Sequence, residues 1–281
     1  PDWVVSPSGL IVVGAYFETE LDFALLQIPH GVGFVQCKFA AGVDFGLSEI
    51  AGDLLLNSCE VQGAVGLLRL RAKGAVTLEG SSIRAEGGVG VAVFADQLEA
   101  DGISLQNCVV VGRVSLSAAR LRLGLSLART RIHSIENVAI TARALTTLNA
   151  DCTSIRCAGT VDFEGSEFSR GLVMLGARIN SRTVQSYALN LTDCRMEQLS
   201  LTGARIGGGM TMARIRVSGP VLLDRCTIVA NRRKALKGDQ MQAGMLQLND
   251  SRMRGSVELI RADVQHDLDA QRLVVRNAGA A

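Results

Sequence analysis

A short unit recurs almost from end to end of this chain, and no other feature limits its possible folds as strongly. Between Leu189 and Ile228 four copies follow one another with almost nothing between them. We number the first apolar residue of a copy 0, and further apolar or small residues then fall at +2, +5 and +7. In these four copies position 0 is Leu189, Leu199, Met210 and Val221, and position +7 is Met196, Ile206, Val217 and Ile228.

Copies of the unit cover nearly the whole chain, which predicts one repetitive domain over residues 1–281. The first starts keep a spacing of eleven residues: Leu10, Leu21, Val32, Val43, Leu54, Val65 and Val76. A looser series follows: Val89, Ile103, Val114, Leu125, Val138, Leu148, Val161, Leu172, Leu189, Leu199, Met210, Val221, Leu246, Val257 and Leu268. The units therefore run from Leu10 to Val275, with the longest loop insertions predicted at 180–188 and 229–245.

Apolar residues at 0, +2, +5 and +7 form two pairs of alternating positions, and alternation by two indicates a half-buried strand rather than a helix face. Strands this short are not stable alone, so each must stack on copies of itself. The prediction is an all-β parallel β-helix. Most extra residues precede every second unit, which favours two eleven-residue units per coil and about eleven coils.

Glycine often precedes a unit, which predicts a corner with permissive backbone angles at that position. The glycines concerned are Gly9, Gly31, Gly42, Gly88, Gly102, Gly124, Gly171 and Gly209.

The register resembles that of pentapeptide-repeat proteins, because a smaller residue followed two places later by an apolar residue recurs at an interval of five residues. Segments such as LGARI at 175–179 and LTGARI at 201–206 also resemble a group of bacterial β-helical proteins that often carry an automatic label of membrane-associated oxidoreductase. The resemblance implies a right-handed β-helix and speaks to fold rather than to activity. The seven residues GARIGGG at 203–209 precede a strand pattern rather than the helix that a dinucleotide site needs, so no cofactor is predicted.

Catalytic and metal-binding patterns are weak in this sequence. Five of the seven cysteines occupy position +5, where small buried residues are expected: Cys37, Cys59, Cys108, Cys194 and Cys226. Cys152 and Cys157 lack the second pair of a zinc site, so no metal is predicted. The histidines at 30, 133 and 266 have no convincing nucleophilic partner. Asp162, Glu164 and Glu167 resemble the carboxylates of polysaccharide-cleaving β-helices, but a solvated acidic face explains them as well.

Arginine columns are the most informative charged feature. Only four of the 29 basic residues are lysines, and arginine recurs at the outward position +6. With two units per coil, Arg178 should stack on Arg205 on one face, and Arg195 on Arg216 on the other. The 229–245 insertion adds a predicted basic loop. The candidate binding residues are Arg178, Arg195, Arg205, Arg216, Arg232, Arg233, Lys234 and Lys237.

These features favour a non-enzymatic structural scaffold that associates with protein partners or with itself. Residues 1–140 carry 14 acids and 10 bases, whereas residues 141–281 carry 13 acids and 19 bases. Opposite charge at the two ends favours head-to-tail assembly, because heterologous end contacts propagate. Two alternatives remain: a module that binds an anionic polymer or membrane surface, and a polysaccharide-cleaving enzyme. Free cysteines predict a cytoplasmic location, and no small-molecule substrate is evident.

Overall fold

Two parallel β-sheets built from stacked coils form the whole described fold. The structure is a computed structural model, and it describes residues 9–182 and 186–276, with the side chains of residues 231–233 excepted. Every strand pair in this part of the chain is parallel, as the alternation predicted. The all-β solenoid expected from the repeat is therefore confirmed.

Each coil contributes to both sheets, with either one continuous strand or two shorter ones in a sheet. Sheet A contains the strands Leu10–Val13, Gln27–Ile28, Val32–Val35, Glu49–Ile50, Leu54–Asn57, Arg71–Ala72, Val76–Thr77, Glu99–Ser104, Arg120–Ser126, Thr146–Asp151, Glu167–Val173, Arg195–Ser200, Arg216–Leu222, Gln242–Gln247, Asp263–Val264 and Leu268–Asp269. Sheet B contains the strands Tyr16–Phe17, Leu21–Asp22, Lys38–Phe39, Val43–Asp44, Glu60–Val61, Val65–Gly66, Ser82–Arg84, Val91–Phe94, Val109–Val111, Arg113–Ser115, Arg131–Thr141, Arg156–Asp162, Arg178–Asn180, Leu189–Asn190, Arg205–Gly207, Met210–Thr211, Thr227–Lys237, Arg252–Glu258 and Val274–Arg276. The helical residues of the described chain are the 3₁₀ turn Glu86–Gly88.

The strand register confirms two units per coil. Leu10 pairs with Val32, two units further along the chain, and Val32 pairs in turn with Leu54. This ladder of position 0 residues continues in sheet A to Leu268, and the other set of units forms the matching ladder in sheet B. Because successive coils lie about 4.8 Å apart, the solenoid is roughly 50 Å long.

Inward positions form a continuous apolar core between the sheets. Position 0, +2, +5 and +7 residues of the central coils are almost completely buried, as Leu199, Leu201, Ala204 and Ile206 of one unit illustrate. Identical side chains stack where the columns allow it, and the rings of Phe23 and Phe45 lie 4.9 Å apart and nearly parallel. Burial of these columns provides the main stabilisation of the fold, because isolated short strands have none of their own.

A left-handed corner residue recurs at position +4, whereas only three of the glycines predicted before a unit have a positive φ, Gly9, Gly88 and Gly209. Position +4 adopts a left-handed conformation in unit after unit, often without glycine, as at Leu47, Arg69 and Arg129 with φ of 58°, 53° and 58°. The expected glycine corner is wrong for Gly42, which has no positive φ. A Cβ there would lie 2.8 Å from the carbonyl oxygen of Ala64 in the next coil, so close approach of the backbones explains the glycine.

Several unit starts differ from those predicted. Val65 pairs with Val93 rather than Val89. Two later units begin at Ile140 and Ala150 rather than at Val138 and Leu148. The 229–245 loop is also wrong, because Leu236 pairs with Met210 and starts a unit of its own inside the strand Thr227–Lys237. Alternating apolar residues inside an insertion satisfy the same pattern as a unit, so the pattern alone leads to the wrong register there.

Insertions enter sheet B on every second coil and form what we call the insertion ridge, made in the described chain of segments 85–91, 134–139, 181–182 with 186–188, and 230–235. The predicted insertion at 180–188 is the third of these, although residues 183–185 lie outside the described chain. The coil after an insertion carries glycine at the same place: Gly112, Gly159, Gly208 and Gly255, with φ between 117° and 136°. A Cβ on Gly159 would lie 2.8 Å from the Ala139 nitrogen, so each such glycine makes room for the segment folded over it.

Candidate functional site: an arginine ladder on sheet B

Four arginines of sheet B stack in consecutive coils and form what we call the arginine ladder. Arg131 pairs in register with Arg156, Arg156 with Arg178, and Arg178 with Arg205. All four side chains are exposed, because position +6 points away from the core. The ladder therefore holds four positive charges along a line of roughly 14 Å, three coil spacings long.

No acidic side chain of the described residues forms an ion pair with the arginine ladder. The neighbouring column at position +8 runs through His133, Ala158, Asn180 and Gly207, none of which is acidic. On the other side the corner residues are Arg129, Ser154, Gly176 and Gly203. Within the described chain, the positive charges of the ladder are therefore not neutralised by its immediate neighbours.

The equivalent column of sheet A is arranged differently. There Arg71 lies between Glu49 and Glu99, with nitrogen to oxygen distances of 3.4 and 3.7 Å, and Arg120 also contacts Glu99 at 3.7 Å. Acids and bases alternate from coil to coil along this stretch. Opposite charges directly across a ladder stabilise a sheet and like charges destabilise it, so this stretch of sheet A, which precedes the coils of the arginine ladder, has the more favourable charge pairing.

A shallow groove of about 600 Å³ follows the arginine ladder across six coils, from Val109 to Thr227. Position +8 contributes Val111, His133, Ala158, Asn180, Gly207 and Val229 to its lining, among which Ala158 and Gly207 have the smallest side chains. The ladder lines one side of the groove, and the insertion ridge follows the +8 column in the chain without lining the groove itself. The groove thus runs parallel to the solenoid axis, with positive charge on one side.

One end of the groove is apolar. Val109 precedes Arg131 in the same column and is 43% exposed, and Ile135 of the insertion ridge is 61% exposed. A Cβ built on Gly88 would lie 3.1 Å from Ile135 and 3.3 Å from Val111, so these residues are mutual neighbours. The groove lining thus includes Val109 and Val111 beside the row of arginines, and Ile135 lies near Val111 outside that lining; we call these three residues the apolar patch.

The predicted stacking of candidate residues is correct, but the predicted set is incomplete. Arg178 and Arg205 stack on sheet B, and Arg195 and Arg216 stack on sheet A. The repeat also places Arg131 at an outward position, whereas it misses Arg156 because a unit start at Leu148 instead of Ala150 shifts the register. The correct start places Arg156 at +6, and the four-membered ladder appears only with that register.

The predicted basic loop is not a free cationic segment. Lys234 forms an ion pair with Glu258, which raises the pKa of Lys234, and the Lys237 amine lies 3.7 Å from a carboxylate oxygen of Asp239. Arg232 and Arg233 lie within the strand Thr227–Lys237, and their side chains fall outside the described residues. The lysines of this segment are therefore engaged within the chain, unlike the arginine ladder.

The carboxylates considered for polysaccharide cleavage do not form one cluster. Arg143 binds Asp162 at 2.6 Å and Glu164 at 3.7 Å, while Asn190 donates a hydrogen bond to Asp162 at 2.9 Å. Glu167 belongs to a strand of sheet A, whereas Asp162 belongs to sheet B. Asp162 and Glu164 are thus held in a surface network with Arg143, and Glu167 lies on the other sheet.

The cysteines at position +5 are buried hydrogen-bond donors. The Cys108 thiol donates to the Leu78 carbonyl oxygen at 2.9 Å, and the Cys194 thiol donates to that of Phe163 at 3.0 Å. Ser81 and Ser166 make the same contact to the preceding coil at 2.6 and 2.7 Å. Cysteine, serine and threonine therefore share one role at position +5, that of a buried donor to the preceding coil. The composition of the +5 column indicates a small buried residue there, but the hydrogen bond is visible only in the structure.

Burial makes these thiols unreactive. Desolvation raises the pKa of Cys108 to about 12 and that of Cys194 to about 12, and it raises the pKa of the fully buried Cys152 well above its ordinary value. The seven cysteines are all free thiols. Within the described chain no three His, Cys, Asp or Glu side chains are placed to hold a metal ion.

Comparisons with known proteins found similar solved structures but no matching family or curated sequence. No protein-family model matches the chain, and no curated protein sequence matches it. The chain is similar to the solved structure of trypsin-treated QnrB1, a plasmid-mediated fluoroquinolone resistance protein, at 12% identity and a TM-score of 0.25, over 89% of this chain and 91% of that chain.

It is also similar to HetL, a pentapeptide repeat protein involved in heterocyst differentiation regulation from the cyanobacterium Nostoc, at 12% identity and a TM-score of 0.22, over 93% of this chain and 89% of that chain. The chain is a parallel β-solenoid. Its own ladders establish this fold. The described residues include no helix long and apolar enough to span a membrane.

Proposed function

We propose that this protein is a non-enzymatic scaffold whose rigid sheet B face binds an anionic partner through the arginine ladder. The observation that carries the proposal is the contrast between the arginine ladder and the column of sheet A in which acids and bases alternate. Arg71 has acidic neighbours above and below it, whereas Arg156 has only Arg131 and Arg178.

Repulsion along the ladder makes an external partner favourable. Two unit charges about 4.8 Å apart repel by roughly 0.9 kcal/mol in water without salt, and by roughly 0.5 kcal/mol at physiological ionic strength. Four stacked arginines contain three such adjacent pairs, and the solenoid backbone fixes where each side chain starts. A partner carrying negative charge removes this repulsion and adds attraction, and it meets a surface that needs no rearrangement to bind.

Binding of fluorescent poly-glutamate, followed by anisotropy, tests the proposal. We expect binding that weakens as salt rises, and we expect Arg178→Glu to lower affinity at least about tenfold, because reversal removes two attractive contacts and adds repulsive ones. Arg261→Glu is the matched control, since it changes net charge equally at an exposed corner outside the groove. Equal losses in both variants would indicate general charge attraction and refute the ladder as the site.

We also propose that copies of the solenoid associate head to tail, as a second means of scaffolding. Position 0 side chains, which are buried in the central coils, are exposed at both ends of the described solenoid, Leu10 at 58% and Leu268 at 56%, and Val13 of the first strand is 64% exposed, which supports a contact between copies. The opposite net charges of the two halves favour that pairing over like ends meeting. Sedimentation velocity of the wild type and of Val13→Glu tests it, and an unchanged monomer at low and high salt would reject it.

A further inference from the structure

The spacing of the arginine ladder and the apolar end of the groove together indicate what kind of partner fits. We infer that the groove binds an extended acidic segment of another protein, with an apolar residue followed by acidic residues at every second position. The inference rests on the proposed binding of anions by the ladder and adds the identity of the partner.

Dimensions match an extended chain. Same-side residues of an extended strand are about 6.7 Å apart, so three alternating acids span about 13.4 Å. The ladder from Arg131 to Arg205 spans roughly 14 Å. Three carboxylates placed along it would lie near Arg131, between Arg156 and Arg178, and near Arg205. Each carboxylate then has a guanidinium within reach, with charge-assisted geometry.

The apolar patch fixes the other half of the motif. The residue two places before the first acid lies about 6.7 Å beyond it, and Val109 lies one coil, about 4.8 Å, beyond Arg131. A leucine or isoleucine at that place would cover Val109, Val111 and Ile135, which are otherwise in contact with water. Burial of one aliphatic side chain strengthens binding by roughly tenfold or more.

A nucleic acid fits the same charges less well. Single strands bind proteins largely by stacking bases on aromatic rings, and the groove lining contains no Phe, Tyr or Trp among the described residues. Duplex DNA requires contacts spread over a broad basic surface, whereas these arginines form one line beside a ridge. The aliphatic patch also has no counterpart on a phosphate backbone.

Four fluorescent probes test the inference by anisotropy against the full chain. The first is a peptide of about nine residues with isoleucine near its start and three glutamates at every second place after it, separated by serine and glycine. The second replaces isoleucine with alanine, the third replaces every glutamate with glutamine, and the fourth is a single-stranded oligonucleotide of similar length. We expect the first to bind about tenfold more tightly than the second, and the third and fourth to bind more weakly than the second.

Protein variants separate this inference from the proposed function. Ile135→Ser should reduce the affinity of the isoleucine peptide severalfold and leave the alanine peptide unchanged, whereas Arg178→Glu should weaken both. Ile135 is already 61% exposed, so its replacement leaves the core intact.

Each outcome has a distinct meaning. If the two acidic peptides bind equally and respond only to Arg178→Glu, the ladder binds anions but the apolar half of the motif is wrong. If the oligonucleotide binds as tightly as the first peptide, a protein segment is not the preferred partner and the inference fails. If Arg178→Glu changes nothing, both the inference and the proposed function fail.

Discussion

Reversing one charge in each column gives stability changes of opposite sign, and this is the sharpest test of the electrostatic difference between the arginine ladder and the alternating column of sheet A. Arg156 stacks between Arg131 and Arg178, whereas Arg71 stacks between Glu49 and Glu99. Both arginines occupy exposed position +6 of the same repeat, so the substitutions Arg156→Glu and Arg71→Glu make an identical chemical change in equivalent backbone positions.

The magnitude follows from the coil spacing. Each adjacent charge pair contributes roughly 0.5 kcal/mol at physiological salt, so changing its sign alters the free energy of unfolding by about 1 kcal/mol. Two neighbours double that figure, but side chains this exposed can spread apart into solvent and reduce it by about half. We therefore expect Arg156→Glu to stabilise the protein by about 1 kcal/mol and Arg71→Glu to destabilise it by about 1 kcal/mol.

Thermal and urea unfolding at low, physiological and about 1 M salt measure these changes. The difference between the two variants should be largest at low salt and nearly vanish at about 1 M, where the screening length is only about 3 Å. Changes of the same sign in both variants, or a difference that salt leaves untouched, would refute the reasoning. Stabilisation by Arg156→Glu together with loss of anion binding is the pattern expected when a site is maintained for function at some cost in stability.

Two further predictions concern the core and the corners. Burial raises the pKa of Cys108, Cys194 and Cys226 to about 12 each in the folded protein. As pH rises, these thiols therefore lose their protons in the unfolded chain before they do so in the folded one. The stability that they contribute below about pH 9 is lost as pH rises towards 12. Urea unfolding at about pH 8 and about pH 10.5 should show a smaller alkaline loss in the triple Cys→Ala variant than in the wild type, and an equal loss in both would contradict the assignment. At the corner, Gly165 has φ of 68°, and no atom lies within 4 Å of the place that a Cβ would occupy, so only backbone conformation opposes a side chain there. Gly165→Val should therefore cost about 1–2 kcal/mol and Gly165→Asn less. Thermal unfolding of both variants and the wild type checks this. If both variants melt at the temperature of the wild type, the backbone at this corner does not oppose a side chain.

The repeat itself can be predicted from the amino-acid sequence. Apolar residues at four fixed places require strands that stack on their own copies, and a regular spacing of eleven with insertions on alternate units requires two units per coil. The outward direction of position +6 follows from the same alternation, which is why the predicted stacking of Arg178 on Arg205 is correct. These conclusions depend on local chemistry that every copy repeats, so errors in single units do not disturb them.

Only the tertiary structure decided which residues are neighbours between coils. Partners in one column are far apart in sequence, and an insertion of a few residues shifts the register of everything around it. A start placed at Leu148 instead of Ala150 removes Arg156 from the ladder, and treating Leu236 as part of a loop hides the ion pair of Lys234 with Glu258. Neutralisation of a charge depends on distances of about 3 to 4 Å between coils, so the contrast between the two columns arises from register and not from composition.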